Sequence, residues 1–121
     1  MKKVKHITYF QAPKNDNFLY CLISTKKQIN EAVKFHNINA KFRKGVGALC
    51  IFQVLSNDQY MCILHMPPIE DFEDNMQRAI SLLIHEITHL KQSIMEVDNT
   101  LNESKLMKEL MHNLLPQYIK M

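Results

Sequence analysis

The stretch from Leu82 to Leu90 most constrains the fold of this chain, because it sets His85, Glu86 and His89 inside an otherwise largely apolar run. Residues four apart lie one above the other on an α-helix, so the two histidines present their rings to one point. Two imidazoles on one helical face form half of a zinc site, and the intervening Glu86 can reach a water at the metal. The alternative is a metal-free helix whose two histidines are satisfied by hydrogen bonds, a costly set of polar groups to bury.

Length and composition favour one compact domain spanning residues 1–121. Apolar residues make up 46% and charged residues 22%, and the net charge of +3 is too small to indicate a nucleic-acid partner. No apolar run approaches the ~20 residues of a membrane span, and no apolar segment follows the N-terminal lysines. We therefore expect neither a membrane protein nor a secretory signal peptide.

The number and positions of the cysteines indicate the redox state of the compartment in which the protein works. Cys21, Cys50 and Cys62 are odd in number, and each falls in an apolar, strand-like run. We interpret them as buried free thiols of a protein in a reducing compartment, which favours the cytoplasm.

The residues before the motif favour strands and one short helix. The apolar run Phe18–Ile23 predicts a strand, and a shorter strand is expected over residues 4–10. Thr25 with Gln28 three residues later fits a capping box, which predicts a helix from there to about His36.

A hairpin and two helices are predicted for the remainder of the chain. Residues 48–55 and 59–66 are apolar runs separated by three turn-forming residues, which is typical of an antiparallel hairpin. Asp71 can cap the long helix that carries the motif, and residues 95–101 are expected to turn the chain. A second, covering helix is expected from near Asn102 to Pro116, followed by a loosely packed tail. The fold class is therefore α+β, with an antiparallel hairpin or sheet, an N-terminal helix, a central motif helix and a C-terminal covering helix.

A catalytic zinc site commonly has three protein ligands, so a third is expected beyond His89. Glu103 has helical spacing to Leu106 and Leu110, which predicts that its carboxylate lies on the buried stripe of the covering helix. Thr100 and Glu103 also fit a capping box, in which Glu103 would bond the backbone instead. Glu109, to the side of the stripe, is the alternative ligand.

The chain resembles a group of small phage-encoded proteins classed as zinc metallopeptidases of the gluzincin type. Their motif has the form L-[LV]-H-E-x-x-H-x-x-Q, which Leu83 to Gln92 fits with Ile84 as a conservative variant. The group places a Glu followed by a small residue at the start of an apolar-striped helix, as Glu103 and Ser104 stand here. The resemblance implies a small zincin-like domain that binds Zn²⁺ through His85, His89 and Glu103.

The expected function is peptide-bond hydrolysis by a zinc-activated water, with Glu86 as general base. The substrate would be a peptide or protein aligned along the outer strand of the hairpin, and His112 and Tyr118 are candidates for stabilising the oxyanion.

Two other functions are consistent with the same residues. One is a phage structural or assembly protein whose zinc site is structural or vestigial, with virion or assembly proteins as partners. The other is a metal-free module that interacts with a host protein. For a phage-encoded chain we expect the host cytoplasm or the virion as the location.

Overall fold

The chain forms a sheet with helices on both faces, as seen in a computed structural model that describes residues 3–36, 48–55, 58–73 and 75–121. In chain order the elements are strand β1 (Tyr9–Ala12), strand β2 (Asn15–Ile23), helix α1 (Lys26–His36), strand β3 (Leu49–Val54), strand β4 (Tyr60–His65), a 3₁₀ turn (Ile69–Phe72), helix α2 (Met76–Val97) and helix α3 (Glu103–Lys120). Among the helices of the described ranges, none is both long and apolar enough to cross a membrane.

The four strands form one mixed sheet in the order β1-β2-β4-β3. The predicted hairpin is confirmed, because β3 and β4 pair antiparallel with Phe52 opposite Cys62. A purely antiparallel sheet is not found, because β2 and β4 run parallel in the centre, with Tyr20 opposite Cys62. A parallel pair needs a long crossover, and here the chain passes through α1 and β3 before it returns as β4.

Both faces of the two central strands are buried, which explains why Phe18–Ile23 is apolar without alternation. On one face, Phe18 and Tyr20 pack with residues of α2 and α3 in the larger core cluster. On the other face, Leu19 and Cys21 pack with Ala32 of α1. The sheet therefore separates α1 from the two long helices.

The N-terminal elements follow the predictions in part. Thr25 and Gln28 form the predicted capping box: the Gln28 side chain accepts a hydrogen bond from the backbone N–H of Thr25, and the Thr25 hydroxyl accepts one from the N–H of Gln28. The first strand begins at Tyr9, later than expected, and joins β2 through a two-residue turn in which Lys14 has a φ of 58°. The basic connector at residues 40–47 lies outside the described part of the chain.

Helix α2 begins later than predicted, and Asp71 does not cap it. Asp71 lies in the 3₁₀ turn, whose two apolar side chains pack against the core, so the chain is still turning at that point. Glu73 ends this turn with a φ of 53°, and Asp74 lies outside the described residues. The cap is Asn75, whose side chain accepts a hydrogen bond from the backbone N–H three residues on.

Helix α3 covers α2, as predicted, but it does not end at Pro116. It continues to Lys120, and the predicted loose tail is wrong. Tyr118 has no exposed surface, and its hydroxyl donates a hydrogen bond of 2.5 Å to the carbonyl of Pro67. Proline inside a helix costs about 3 kcal/mol. Burial of the Tyr118 ring, together with its hydrogen bond, offsets a cost of that size.

We expect Tyr118→Ala to lower the free energy of unfolding by about 3–5 kcal/mol, because it empties a filled position in the core. Tyr118→Phe, which removes only the hydrogen bond to Pro67, should cost about 1–2 kcal/mol. Urea denaturation measures both. Ile119→Ala, at a half-exposed position of the same turn, is the control and should change stability by less than about 0.5 kcal/mol. If Tyr118→Ala lowered the free energy of unfolding as little as Ile119→Ala does, the C-terminal turn would be loosely packed.

Candidate metal centre

His85 and His89 project from the same face of α2, as their spacing predicts. Their Nε2 atoms lie 3.2 Å apart, and their ring planes are nearly perpendicular at 88°. Both side chains are exposed to solvent. The two nitrogens are therefore close together and accessible from outside the protein.

The separation of these nitrogens fits one shared metal ion. Two nitrogens that each bind a tetrahedral Zn²⁺ at about 2.0–2.1 Å are about 3.3 Å apart. Imidazole nitrogens are ordinary ligands of zinc and of other divalent transition metals. The same separation also fits a hydrogen bond between two neutral rings, so the distance agrees with metal binding without requiring it.

Glu86 lies beside the histidine pair but faces the interior. Its side chain is only 6% exposed, and its ligand atom lies within 4.8 Å of those of His85 and His89. Within the described ranges, its carboxylate has no hydrogen bond and no ion pair. Its oxygens are not among the buried side-chain atoms that lack a partner in the described part of the chain, and the residue lines an open cavity, so water can reach the carboxylate from that side. A cation at the histidine pair would lie next to this carboxylate.

A cavity of about 320 Å³ opens beside this group, between α2 and the edge strand β3. Residues of both elements line it, among them Cys50, Phe52, Glu86, His89, Gln92 and Glu96. Gln92 and Glu96 follow His89 at helical spacing and extend the polar side of the cavity along α2. Glu86 and His89 thus border a space that can hold a small molecule or a short segment of peptide.

Glu103 does not join this group. Its side chain is 63% exposed, so its predicted place on the buried stripe is wrong, and its carboxylate forms an ion pair of 2.5 Å with Lys91 of α2. A hydrogen bond from Lys91 and the charge of that side chain hold the pKa of Glu103 below its usual value. Glu103 is the first residue of α3, where the buried stripe has not yet begun. Its role as a ligand stays a prediction, and that role requires the carboxylate to exchange Lys91 for the metal.

The alternative capping role of Glu103 is also not found. Asn102 caps α3 by accepting a hydrogen bond from the N–H of Lys105, and Thr100 donates its hydroxyl to Asp98 instead.

The other candidate residues lie away from the histidine pair. Glu109 is exposed and lines a different cavity, which also contains Pro13 and Lys14. Tyr118 cannot donate to an oxyanion in this arrangement, because its hydroxyl is already bonded to Pro67. His112 is an exposed residue of α3 and is not among the residues that line the cavity beside His89.

Sequence reasoning found the residues of the cavity wall only in part: it included Gln92 in the motif and Glu96 among the candidate ligands, but it missed Cys50 and Phe52. Glu96 was expected in a turn, but α2 extends to Val97 and places Glu96 two turns after His89. The spacing of seven residues from His89 to Glu96 predicts that both lie on one face of α2, but only if the helix is known to extend as far as Glu96. Cys50 and Phe52 enter the site through the pairing of β3 at the edge of the sheet, for which the local sequence carries no signal.

The thiols of Cys50 and Cys62 lie next to this site. Their Sγ atoms are 3.2 Å apart, and none of the cysteines in the described ranges forms a disulfide. The hydrogen bond with Cys50 raises the pKa of Cys62 well above its usual value, and burial raises it further. The charge of Glu86 acts in the same direction, which places Cys62 within electrostatic reach of that carboxylate.

Comparison with known proteins adds nothing to this geometry. The chain matches no protein-family model, no curated protein and no solved structure. The resemblance to phage-encoded metallopeptidases therefore stays a prediction, and any function must be argued from the side chains.

We expect the protein, purified without added metal, to bind about one equivalent of Zn²⁺ when titrated. His85→Ala and His89→Ala should each weaken that binding by more than about 10-fold, because each removes a direct ligand. Elemental analysis and competition with a chromogenic chelator measure this. His112→Ala, another exposed histidine on a helix, is the control and should bind as the wild type does. Absence of stoichiometric zinc, with stability unaffected by chelator, would favour the hydrogen-bonded histidine pair.

The ion pair with Lys91 predicts that Glu103→Gln leaves the zinc affinity within about threefold of the wild type. The same titration measures this, with Glu109→Gln as a matched control on α3. A loss of more than about 10-fold in Glu103→Gln alone would show that Glu103 leaves Lys91 and ligates the metal.

Proposed function

We propose that this chain is a zinc-dependent peptidase built on a small zincin-like domain, of the kind found in phage-encoded gluzincin-type proteins. One observation carries the proposal. Two imidazole nitrogens at a separation of 3.2 Å lie beside a largely buried Glu86 that forms no hydrogen bond in the described ranges and lines a cavity. A hydrogen-bonded histidine pair alone gives no reason for a carboxylate in this cavity wall.

His85 and His89 would hold the metal through their Nε2 atoms. Bound Zn²⁺ supplies a Lewis acid that polarises a carbonyl group and lowers the pKa of water. The exposure of both rings leaves the outer side of the pair open, as a catalytic site needs for its substrate.

Glu86 would act as the general base. It is within 4.8 Å of the histidine nitrogens, and no described side chain competes for its oxygens. Its carboxylate can accept a proton from the attacking water and later return it to the leaving amine. At 6% exposure, most of the Glu86 side chain is packed against protein, and it lines the cavity from which the attacking water would come.

Strand β3 would align the substrate. It is at the edge of the sheet, and its Cys50 and Phe52 line the same cavity as Glu86 and His89. An extended peptide added to the free edge of β3 would therefore run past the histidine pair, in the mode of β-strand addition. The proposed substrate is a peptide or an extended segment of a protein.

A second candidate function is assembly, with a metal site that does not turn over. It is favoured because Glu86, which the peptidase function needs as its base, is the only carboxylate that converges on the two histidines among the residues that the structure describes. A metal ion held by two exposed histidines can take its remaining ligands from another protein, such as a virion or assembly protein. The free thiols support a reducing compartment such as the host cytoplasm for either function.

Glu86→Gln separates the two functions. If Glu86 is the general base, this variant should retain zinc and lose about 10²–10⁴-fold in kcat on a peptide substrate found by screening a mixed peptide library. Glu109→Gln makes the same change on an exposed face of α3 and should keep wild-type activity. Wild type that binds zinc but cleaves no peptide in the library would support the assembly function instead.

A further inference from the structure

Cys50 and Cys62 are neighbours on one face of the β3–β4 hairpin. The register places Cys50 opposite Leu64 and Phe52 opposite Cys62, so the two cysteines are diagonal partners across the strands. Their Sγ atoms are 3.2 Å apart. A disulfide bond is about 2.05 Å long, so the sulfurs need to approach by about 1.2 Å to form one.

The two thiols differ in their access to solvent. Cys62 is fully buried in the core, whereas Cys50 is half-buried and lines the cavity that contains Glu86 and His89. A small reagent that enters this cavity therefore meets Cys50 first, with Cys62 directly behind it.

Cys21, the remaining cysteine, cannot substitute for either of them. It is buried on the opposite face of the sheet, in the cluster that contains Ile63 and Ala32. The chain therefore has one thiol pair and one isolated thiol, which supplies an internal control.

We propose that Cys50 and Cys62 form a redox-active dithiol that a hydroperoxide entering the cavity oxidises to an intramolecular disulfide, and that this oxidation moves the β3 wall beside His89.

The reaction balances with a hydroperoxide as the oxidant. The Cys50 thiol gives up its proton, and the resulting thiolate attacks a peroxide oxygen of H₂O₂; the O–O bond breaks and leaves Cys50 as a sulfenic acid. The leaving hydroxide takes up the proton lost by Cys50 and departs as one water. The Cys62 sulfur then attacks the sulfenic sulfur, the S–O bond breaks, and the hydroxyl leaves as a second water with the proton of Cys62. The two thiols lose two electrons and two protons, and H₂O₂ is reduced to two waters.

Strand β3 is the part of the site that can move. It lies at the edge of the sheet and pairs with only one strand, β4, whereas β4 is held on both sides. Shortening the distance between the two Sγ atoms by about 1.2 Å therefore draws Cys50 toward β4. The wall of the cavity that β3 forms shifts with it. Helix α2, whose stripe is buried in the core, keeps His89 in place. Oxidation thus changes the shape of the cavity without removing any residue of the histidine pair.

The test is limited oxidation of the full-length protein with a small excess of H₂O₂, followed by intact mass and peptide mapping. We expect the wild type to lose two hydrogens in mass and two of its three free thiols, with recovery on addition of dithiothreitol. A protease that cleaves before aspartate cuts at Asp58, between the two cysteines, so the disulfide appears as two linked fragments.

Variants distinguish this pair from unselective oxidation. Cys21→Ala should behave as the wild type, and Cys50→Ala should form no intramolecular disulfide. Since Cys50 is half-buried, Cys50→Ala should fold, which circular dichroism checks; Cys62→Ala repeats the test from the other side. Linkage of Cys21, disulfides only between chains, or a wild type that stays reduced under conditions that oxidise glutathione would each overturn the proposal.

The effect on the cavity is read from the histidine ring signals in NMR spectra of the reduced and oxidised protein. We expect the signals of His89 to shift on oxidation and to return on reduction. His6, on the N-terminal segment that contacts α1, should not shift. Formation of the disulfide with no change at His89 would show that the dithiol is not coupled to the cavity.

Discussion

The packing of α2 against the sheet and α3 fixes the geometry of the candidate site. Leu83, Ile87, Leu90 and Ile94 are buried in the larger core cluster, and each contributes up to about 1.5–3 kcal/mol by burial. Their stripe sets the rotation of the helix about its axis. Glu86 therefore faces inward while the two histidines face solvent, and exposing Glu86 would also expose the stripe. The packing of the apolar side chains of α2 thus holds the Glu86 carboxylate beside the two exposed imidazoles.

The local features of this arrangement could be predicted from the sequence. The i, i+4 spacing of His85 and His89 is a property of any α-helix, and the capping box at Thr25 depends on residues three apart. The uninterrupted apolar run of β2 indicated a strand, and its burial on both faces follows from its central position. For the helical pair and the capping box, the determining partners are close in sequence or belong to the backbone itself.

The features that could not be predicted depend on distant partners. Glu103 is held by Lys91, twelve residues away, and Tyr118 is held by the carbonyl of Pro67, fifty-one residues away. A helical pattern places a side chain on a face but does not reveal which partner on the neighbouring helix competes for it. The same limit applies to Cys50 and Phe52, which line the cavity because β3 is the edge strand of a mixed sheet.

X-ray absorption at the zinc edge tests the central claim most directly, because it reports which atoms bind the metal. For the reduced protein loaded with one equivalent of Zn²⁺, we predict two imidazole nitrogens at about 2.0–2.1 Å and oxygen in the other positions. His85→Ala should lose one of the two imidazole contributions. A sulfur shell at about 2.3 Å would contradict this claim and assign the metal to the thiols of Cys50 and Cys62.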